Sequence, residues 1–356
     1  MNLFELTLKL SGFPIKEAKK HLQKIQSIPE DQYEAYVKEQ RMNIVDFHLE
    51  NNSFYKSFIG STSIDKWEDI PVMQKKDIQI PLKKRFSKDY SSKNCYINKT
   101  SGSSGHPLIF AKDKYCHALT WAEIINRFKW HQIDFNTSYQ ARFYGIPLDF
   151  INNKKERLKD FLSHRFRFPI FNLSNQKLES YFTIFKSKKF QYINGYTSTI
   201  VLFAKFLKEK NIVLTTVCPT LKKCVVTSEM LFENDKLLLK TWIGVPIINE
   251  YGAAELDLIA FNNPKDDSIV NSETLFVEIL DENNQVLPPG KPGKIVITSL
   301  YNKANPLIRY EIGDAGILSE KSTYKTPILK ELIGRTNDIA KLPSGKVVPG
   351  LTFYYV

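Results

Sequence analysis

Six consecutive residues, Thr100, Ser101, Gly102, Ser103, Ser104 and Gly105, are each either hydroxyl-bearing or glycine. Glycine allows backbone dihedrals that turn successive N–H groups toward one point, a nest that holds an anion. The hydroxyls add donors that can follow a polyphosphate as it moves. Asn94-Cys95-Tyr96-Ile97 before the segment and Leu108-Ile109-Phe110 after it read as short strands, so the whole is a strand–loop–strand able to grip a triphosphate. An ordinary Ser/Gly hairpin loop is the competing reading. Neither a G-x-x-x-x-G-K-[ST] loop nor a G-x-G-x-x-G opening a helix occurs, which sets aside two familiar phosphate loops.

Three later stretches carry chemistry of a matching kind. Asn249-Glu250-Tyr251-Gly252-Ala253-Ala254-Glu255 ends a strand. A ring beside glycine can stack a planar base, and the carboxylate four residues on can hold Mg²⁺ against phosphate oxygens. A packing tyrosine and a surface glutamate are the plainer alternative. In Asn305-Pro306-Leu307-Ile308-Arg309-Tyr310-Glu311-Ile312-Gly313-Asp314, an aspartate just past a strand can accept hydrogen bonds from both hydroxyls of a ribose. A turn-forming Gly-Asp is the alternative there. In Ile333-Gly334-Arg335-Thr336-Asn337-Asp338-Ile339-Ala340-Lys341, Arg335 can bond ribose or phosphate, or simply edge a hairpin.

The elements that must position these residues follow from periodicity. Glu17–Ile28 and Gln32–Leu49 carry apolar residues at helical spacing, and a helix is expected from about Lys114 to Trp130. From Ala141 the pattern alternates. Strands are expected at Ala141–Gly145, Tyr192–Tyr196, Cys224–Ser228 and Pro246–Gly252, with helices at Thr199–Lys208, Leu231–Thr241 and from near Ala254. Such alternation predicts a parallel α/β sheet with ligands at the carboxyl ends of its strands. After about residue 270 the turns and strands at Leu275–Leu280, Lys294–Leu300 and Leu307–Glu311 predict an antiparallel, barrel-like region.

Composition narrows the partners. The chain has 356 residues and a formal charge of +12, but its lysines are scattered in short runs such as Lys83-Lys84-Arg85, with no nucleic-acid module beside them. They read as solvated surface, with loose attraction to an anionic membrane second. The four cysteines lack C-x-x-C spacing, which argues against zinc and fits a reducing cytoplasm. Glu5 and Lys9 interrupt the apolar N-terminus, so it reads as a docking helix rather than a signal peptide or membrane span.

Taken in this order, the four stretches resemble the adenylate-forming superfamily, which includes acyl-CoA synthetases and nonribosomal peptide adenylation domains. Gly195-Tyr196-Thr197-Ser198 and Val226-Thr227-Ser228-Glu229-Met230-Leu231 resemble the phenylacetate–CoA ligase branch, including its capsular-polysaccharide members. The resemblance implies an α/β fold with two parallel-type subdomains over about residues 1–270 and a barrel-like region over about 271–333. Residues 334–356 would then be the hinge and the start of a small C-terminal domain that is otherwise missing from the sequence. It implies that Thr100, Ser101, Gly102, Ser103, Ser104 and Gly105 close over the phosphates of ATP. Ser228 and Glu229 would line the adenine pocket, Tyr251 beside Gly252 would stack on adenine, and Asp314 and Arg335 would hold the ribose. Glu255 would ligate Mg²⁺, Tyr144 and Gly145 would line the carboxylate pocket, and Thr100, Glu255 and Arg335 would be the catalytic set.

The implied activity is ATP-dependent activation of a small carboxylic acid, releasing pyrophosphate, with transfer of the acyl group to coenzyme A or an amine, in capsular or surface polysaccharide biosynthesis. Three residues depart from the family pattern: His106 stands at a usual lysine, Ala254 at a usual Ser or Thr, and Asn337 at a hinge aspartate or lysine. His106 and Ala254, together with the missing lysine-bearing C-terminal domain, favour the rival reading of a catalytically idle AMP/ATP-binding protein that acts as an interaction partner in polysaccharide assembly. A charge-driven RNA- or membrane-binding module is the third.

Overall fold

The computed structural model describes residues 3–100, 107–145, 150–171, 173–336, 339–341 and 347–349. In chain order, helices α1 (Leu3–Leu10), α2 (Ile15–Ser27), α3 (Glu30–Asn51), α4 (Ser53–Ile59) and the single turn α5 (Lys75–Ile78) precede the hairpin β1 (Cys95–Lys99) and β2 (Ile109–Asp113). Helix α6 (Lys114–Lys129) leads to β3 (Gln140–Phe143), α7 (Phe150–Leu162), β4 (Arg165–Phe168), α8 (Asn175–Ser187), β5 (Tyr192–Tyr196), α9 (Thr197–Glu209), α10 (Leu214–Val217), β6 (Lys223–Thr227), α11 (Glu233–Ile243) and β7 (Ile247–Ala253). The remainder is β8 (Asp257–Asn262), β9 (Ser268–Val270), β10 (Leu275–Leu280), β11 (Gly293–Ser299), β12 (Tyr310–Leu318), β13 (Leu329–Arg335), β14 (Ile339–Lys341) and β15 (Val347–Pro349).

The chain forms two compact units. The first comprises residues 1–11, 124–252 and 261–266; the second comprises 12–123, 253–260 and 267–356.

In the first unit, five strands run parallel in the order β4-β3-β5-β6-β7. Side chains alternate across a strand, and one face of the sheet supplies Ala141, Phe143, Phe168, Ile193, Cys224, Val226 and Ile247 to a single core. Helix α8 meets it with Leu178, Tyr181, Phe182 and Phe185, and α9 with Ile200, Phe203, Ala204 and Leu207, both at three- and four-residue spacing. Burying each large side chain stabilises the unit by roughly 1.5–3 kcal/mol. Helix α11 ends at Gly244, whose φ of +81° is the left-handed cap geometry glycine adopts without strain. The N-terminal α1 docks in this unit: the Phe4 N–H donates to Asn136 Oδ1 at 3.1 Å, and its ring packs on Phe135.

In the second unit, β10-β11-β12-β13 form an antiparallel sheet. Register shifts between Lys294 and Val296, Ala315 and Gly316, and Ile317 and Leu318 distort it in the manner of β-bulges. Met73 extends it by a parallel bridge to Tyr310; its N–H donates to Arg309 O at 2.9 Å, and its carbonyl accepts from Glu311 N at 2.8 Å.

The structure corrects three expectations. No helix begins near Ala254: the chain turns, with Leu256 N–H bonded to Ala253 O, and continues as β8. The run Leu256–Phe261 is buried on both faces apart from half-buried Asp257, and so short an apolar run carries no period to separate strand from helix. The strand expected at Leu307–Glu311 begins only at Tyr310, because Arg309 sits at φ +44°. Arg85 is not part of a solvated run. It is 1% exposed, and its guanidinium donates to Asn305 Oδ1 at 2.7 Å and to the carbonyls of Ile80 and Ile109.

Candidate functional site

The first unit places its expected residues at the carboxyl ends of parallel strands. Tyr144 and Gly145 follow β3. The Arg142 guanidinium lies 3.9 Å over the Tyr144 ring, and that ring packs against Tyr196 at 4.9 Å and 45°. Gly145 O accepts a hydrogen bond from Arg167 Nη1 at 2.7 Å. Ser228 follows β6 in the left-handed region, φ +70°. Glu229 uses its side chain to cap α9: the Ser198 N–H donates to Oε2 at 2.6 Å and the Ser198 hydroxyl to Oε1 at 3.0 Å. A carboxylate suits that position because the unpaired N–H groups of a helix start attract negative charge. Thr197 Oγ1 bonds the carbonyls of Thr227 and Glu229, which secures the β6–α9 junction. Tyr251 is buried on β7, and Gly252 beside it is half-buried.

Two residues of this unit were not singled out by sequence. Glu250 accepts from Thr227 Oγ1 at 2.9 Å, and burial pushes its carboxyl above the usual range despite the opposing pull of that bond and of Arg142. Arg142 and Glu250 each interrupt an apolar strand with a charge, and that interruption was the available signal.

In the second unit, Thr100 closes the β1–β2 hairpin: its N–H donates to Leu108 O at 3.0 Å, and its Oγ1 accepts from Leu108 N at 2.9 Å. The rest of the hydroxyl–glycine loop, Ser101, Gly102, Ser103, Ser104 and Gly105, together with His106, lies outside the described residues, as does Asn337. Glu255 is 6% exposed and accepts a hydrogen bond from the Tyr310 hydroxyl at 3.0 Å. Burial together with this carboxylate pushes the Tyr310 phenol strongly upward, so it stays a donor. Asp314 and Arg335 face each other in register across β12 and β13, Nε to Oδ1 3.2 Å, and Arg335 Nη1 also donates to Ile312 O. Gly313 at φ +85° turns the strand there, and Thr336 Oγ1 donates to its carbonyl. Strand β12 therefore gathers three expected residues: Asp314 lies on it, Arg335 pairs across it, and Glu255 is held by its first residue. Tyr310 was quoted in the sequence but given no role. Among the described residues no group of three or more His, Cys, Asp or Glu is arranged to hold a metal ion.

No family model matches the chain. It is 23% identical over 309 residues to Protein CapK of Staphylococcus aureus, a stretch covering 81% of this chain and 64% of that protein. It is 28% identical over 101 residues to the phenylacetate-coenzyme A ligase of Aromatoleum evansii, covering 27% of this chain and 23% of the ligase. The chain thus spans less than two thirds of either curated relative. Among solved structures it resembles 2-hydroxyisobutyryl-CoA ligase in an open conformation with 2-HIB-AMP and CoA, at TM-score 0.70 and 15% identity, covering 91% of this chain and 79% of that one. At that identity the likeness is one of fold. Sequence relatives and fold together are those of the adenylate-forming superfamily and, within it, the phenylacetate–CoA ligase branch.

Proposed function

We propose, from this likeness to the adenylate-forming superfamily, that the chain is the large domain of an ATP-dependent ligase that activates a carboxylic acid and passes the acyl group to coenzyme A. The observation that carries the reading is the Tyr310–Glu255 hydrogen bond. It ties the glutamate of one motif to the strand that bears Asp314, so two stretches separated by half a hundred residues share one support.

A substrate carboxylate oxygen attacks the α-phosphorus of ATP, the bond to the β-phosphate breaks, and pyrophosphate leaves. The acyl–adenylate that remains has AMP as a good leaving group for the thiol. Catalysis of this kind is mostly positioning and neutralisation of phosphate charge. Thr100 and the hydroxyl–glycine loop bind the phosphates, Tyr251 stacks the adenine beside Gly252 and the Ser228–Glu229 turn, and Asp314 with Arg335 orients the ribose. Tyr144 and Gly145 border the acid. A lone buried carboxylate suits Mg²⁺, an ion usually held by one or two carboxylates plus substrate phosphates; Glu255 would be its protein ligand and the ion would neutralise phosphate charge. A role in capsular or surface polysaccharide biosynthesis belongs to the same proposal and is supported by the likeness to CapK.

ATP–pyrophosphate exchange with a panel of carboxylic acids tests the reading. At least one acid should support exchange, and Tyr251→Ala and Asp314→Ala should each weaken ATP binding about tenfold, the loss of roughly 1.4 kcal/mol. Tyr310→Phe should slow exchange while leaving ATP affinity unchanged. No exchange and no heat of ATP binding would remove the proposal.

A further inference from the structure

The face of the parallel sheet opposite the first unit's core carries three arginines that are neutralised unequally. Alternation sends Ala141, Phe143 and Phe168 into the core and puts Arg142, Arg165 and Arg167 on the other face, with Arg142 and Arg167 in register. Helix α7 neutralises two of them: Asp160 pairs with both Arg165 and Arg167, and Glu156 pairs with Arg167 at 3.0 Å. Among the described residues Arg142 has no carboxylate at ion-pair distance, and its Nε is buried without an acceptor. Glu250, whose carboxyl feels the Arg142 charge, keeps an oxygen on Thr227 instead.

A buried guanidinium N–H left unmet is costly, and an acceptor carried by a ligand would relieve that cost. The geometry suits one. Stacking on Tyr144 fixes the guanidinium plane, and a fixed fork matches a planar carboxylate with two parallel hydrogen bonds. Arg142, Tyr144 and Tyr196 are only half-buried, and they stand where strands β3 and β5 end, the side on which parallel sheets receive ligands.

We propose that Arg142 reads a second carboxylate on the acyl substrate, so that the acid activated is a dicarboxylic acid whose chain lies against Tyr144 and Tyr196. This rests on the acid-activating reading above. Arg142 is on this view a specificity determinant: it holds the end of the substrate that does not react.

Isothermal titration of the full chain with straight-chain dicarboxylates and chain-matched monocarboxylates, run beside pyrophosphate exchange with the same acids, tests it. The wild type should bind its preferred dicarboxylate at least tenfold more tightly than the matched monocarboxylate. Arg142→Leu should erase that difference, and Arg142→Lys should restore part of it, which also shows that the site tolerates substitution. Equal binding of both series to the wild type overturns the inference. So does an equal loss of both in Arg142→Leu, which would mean that the arginine holds the reacting carboxyl. In either case continued exchange leaves the ligase reading intact. Selective dicarboxylate binding that depends on Arg142, without exchange, would uphold the site and remove the reaction.

Discussion

In the second unit three buried charges face opposite charges: Arg309 lies against Glu278 with both 1% exposed, Lys112 against Asp257, and Asp314 against Arg335. In the first unit the sheet face that ends at Tyr144 and Tyr196 gives Arg142 no carboxylate at ion-pair distance among the described residues and keeps Glu250 on a neutral hydroxyl. Pairing spends the capacity of a group on the fold and fixes its position; leaving it unmet weakens the fold slightly and keeps it for a ligand. In the second unit Tyr310 thus holds the motif residue Glu255 still, while in the first Arg142 stands near a strand end with its Nε unmet.

Five substitutions test this contrast. Arg309→Ala strands Glu278 in the interior and frees the carbonyls of Glu68 and Ile70, to which Arg309 Nη1 donates. It should cost about 3–5 kcal/mol in urea unfolding. Arg142→Leu breaks no ion pair among the described residues and loses the stacking on Tyr144, so it should cost only about 1 kcal/mol. Equal losses would abolish the contrast.

His48 probes the second unit by pH. It is fully buried, its Nε2 donates to Asn302 O at 2.9 Å and its Nδ1 accepts from the Ser87 hydroxyl, and burial pushes its pKa down to about 4. The unfolded chain takes up this proton near pH 6.5 and the folded one only near 4. Stability is therefore complete above 6.5 and is lost as the pH falls through that window. Between pH 7 and pH 5 the loss from this one group should be about 2 kcal/mol. His48→Gln should flatten the urea-derived slope by that amount, and an unchanged slope would show that the imidazole is not the group responsible.

Gly195→Ala attacks the first unit without touching a charge. A methyl there would stand 2.4 Å from Phe143 O, so β3 must shift, and overpacking of this sort costs about 1–2 kcal/mol. Because β3 also carries Arg142 and Tyr144, acid binding should fall with stability; if stability falls alone, the strand end is not where the acid sits.

The smallest effect is expected at Arg335, whose side chain is 58% exposed. Arg335→Ala should change stability by less than about 1 kcal/mol, the usual range for an exposed pair. A several-fold loss of ATP affinity in the same variant would separate a ligand contact from a structural one.

Much of the fold was legible from local pattern. The helices at 15–51 and 114–129, the strand at Tyr192–Tyr196 and the strand at Leu275–Leu280 lie where periodicity put them, because a 3.6- or two-residue rhythm is written within one element. The rhythm failed where a run was too short or too uniformly apolar, as at β8, and where a charge belonged to the interior, as at Arg85.

By itself the sequence determined which residue types stand at the ends of strands and in what order, and so the chemistry available. Tertiary structure alone decided which of those residues are spent on one another. Glu255 finds Tyr310 at a separation of 55, and Arg85 finds Asn305 at 220. Hydrogen bonds and ion pairs act over a few ångströms, while the chain between such partners carries no local signal of their meeting. The Nε of Arg142 is left unmet because its neighbours Arg165 and Arg167 claim the carboxylates of α7, a division that no local pattern in the sequence carries.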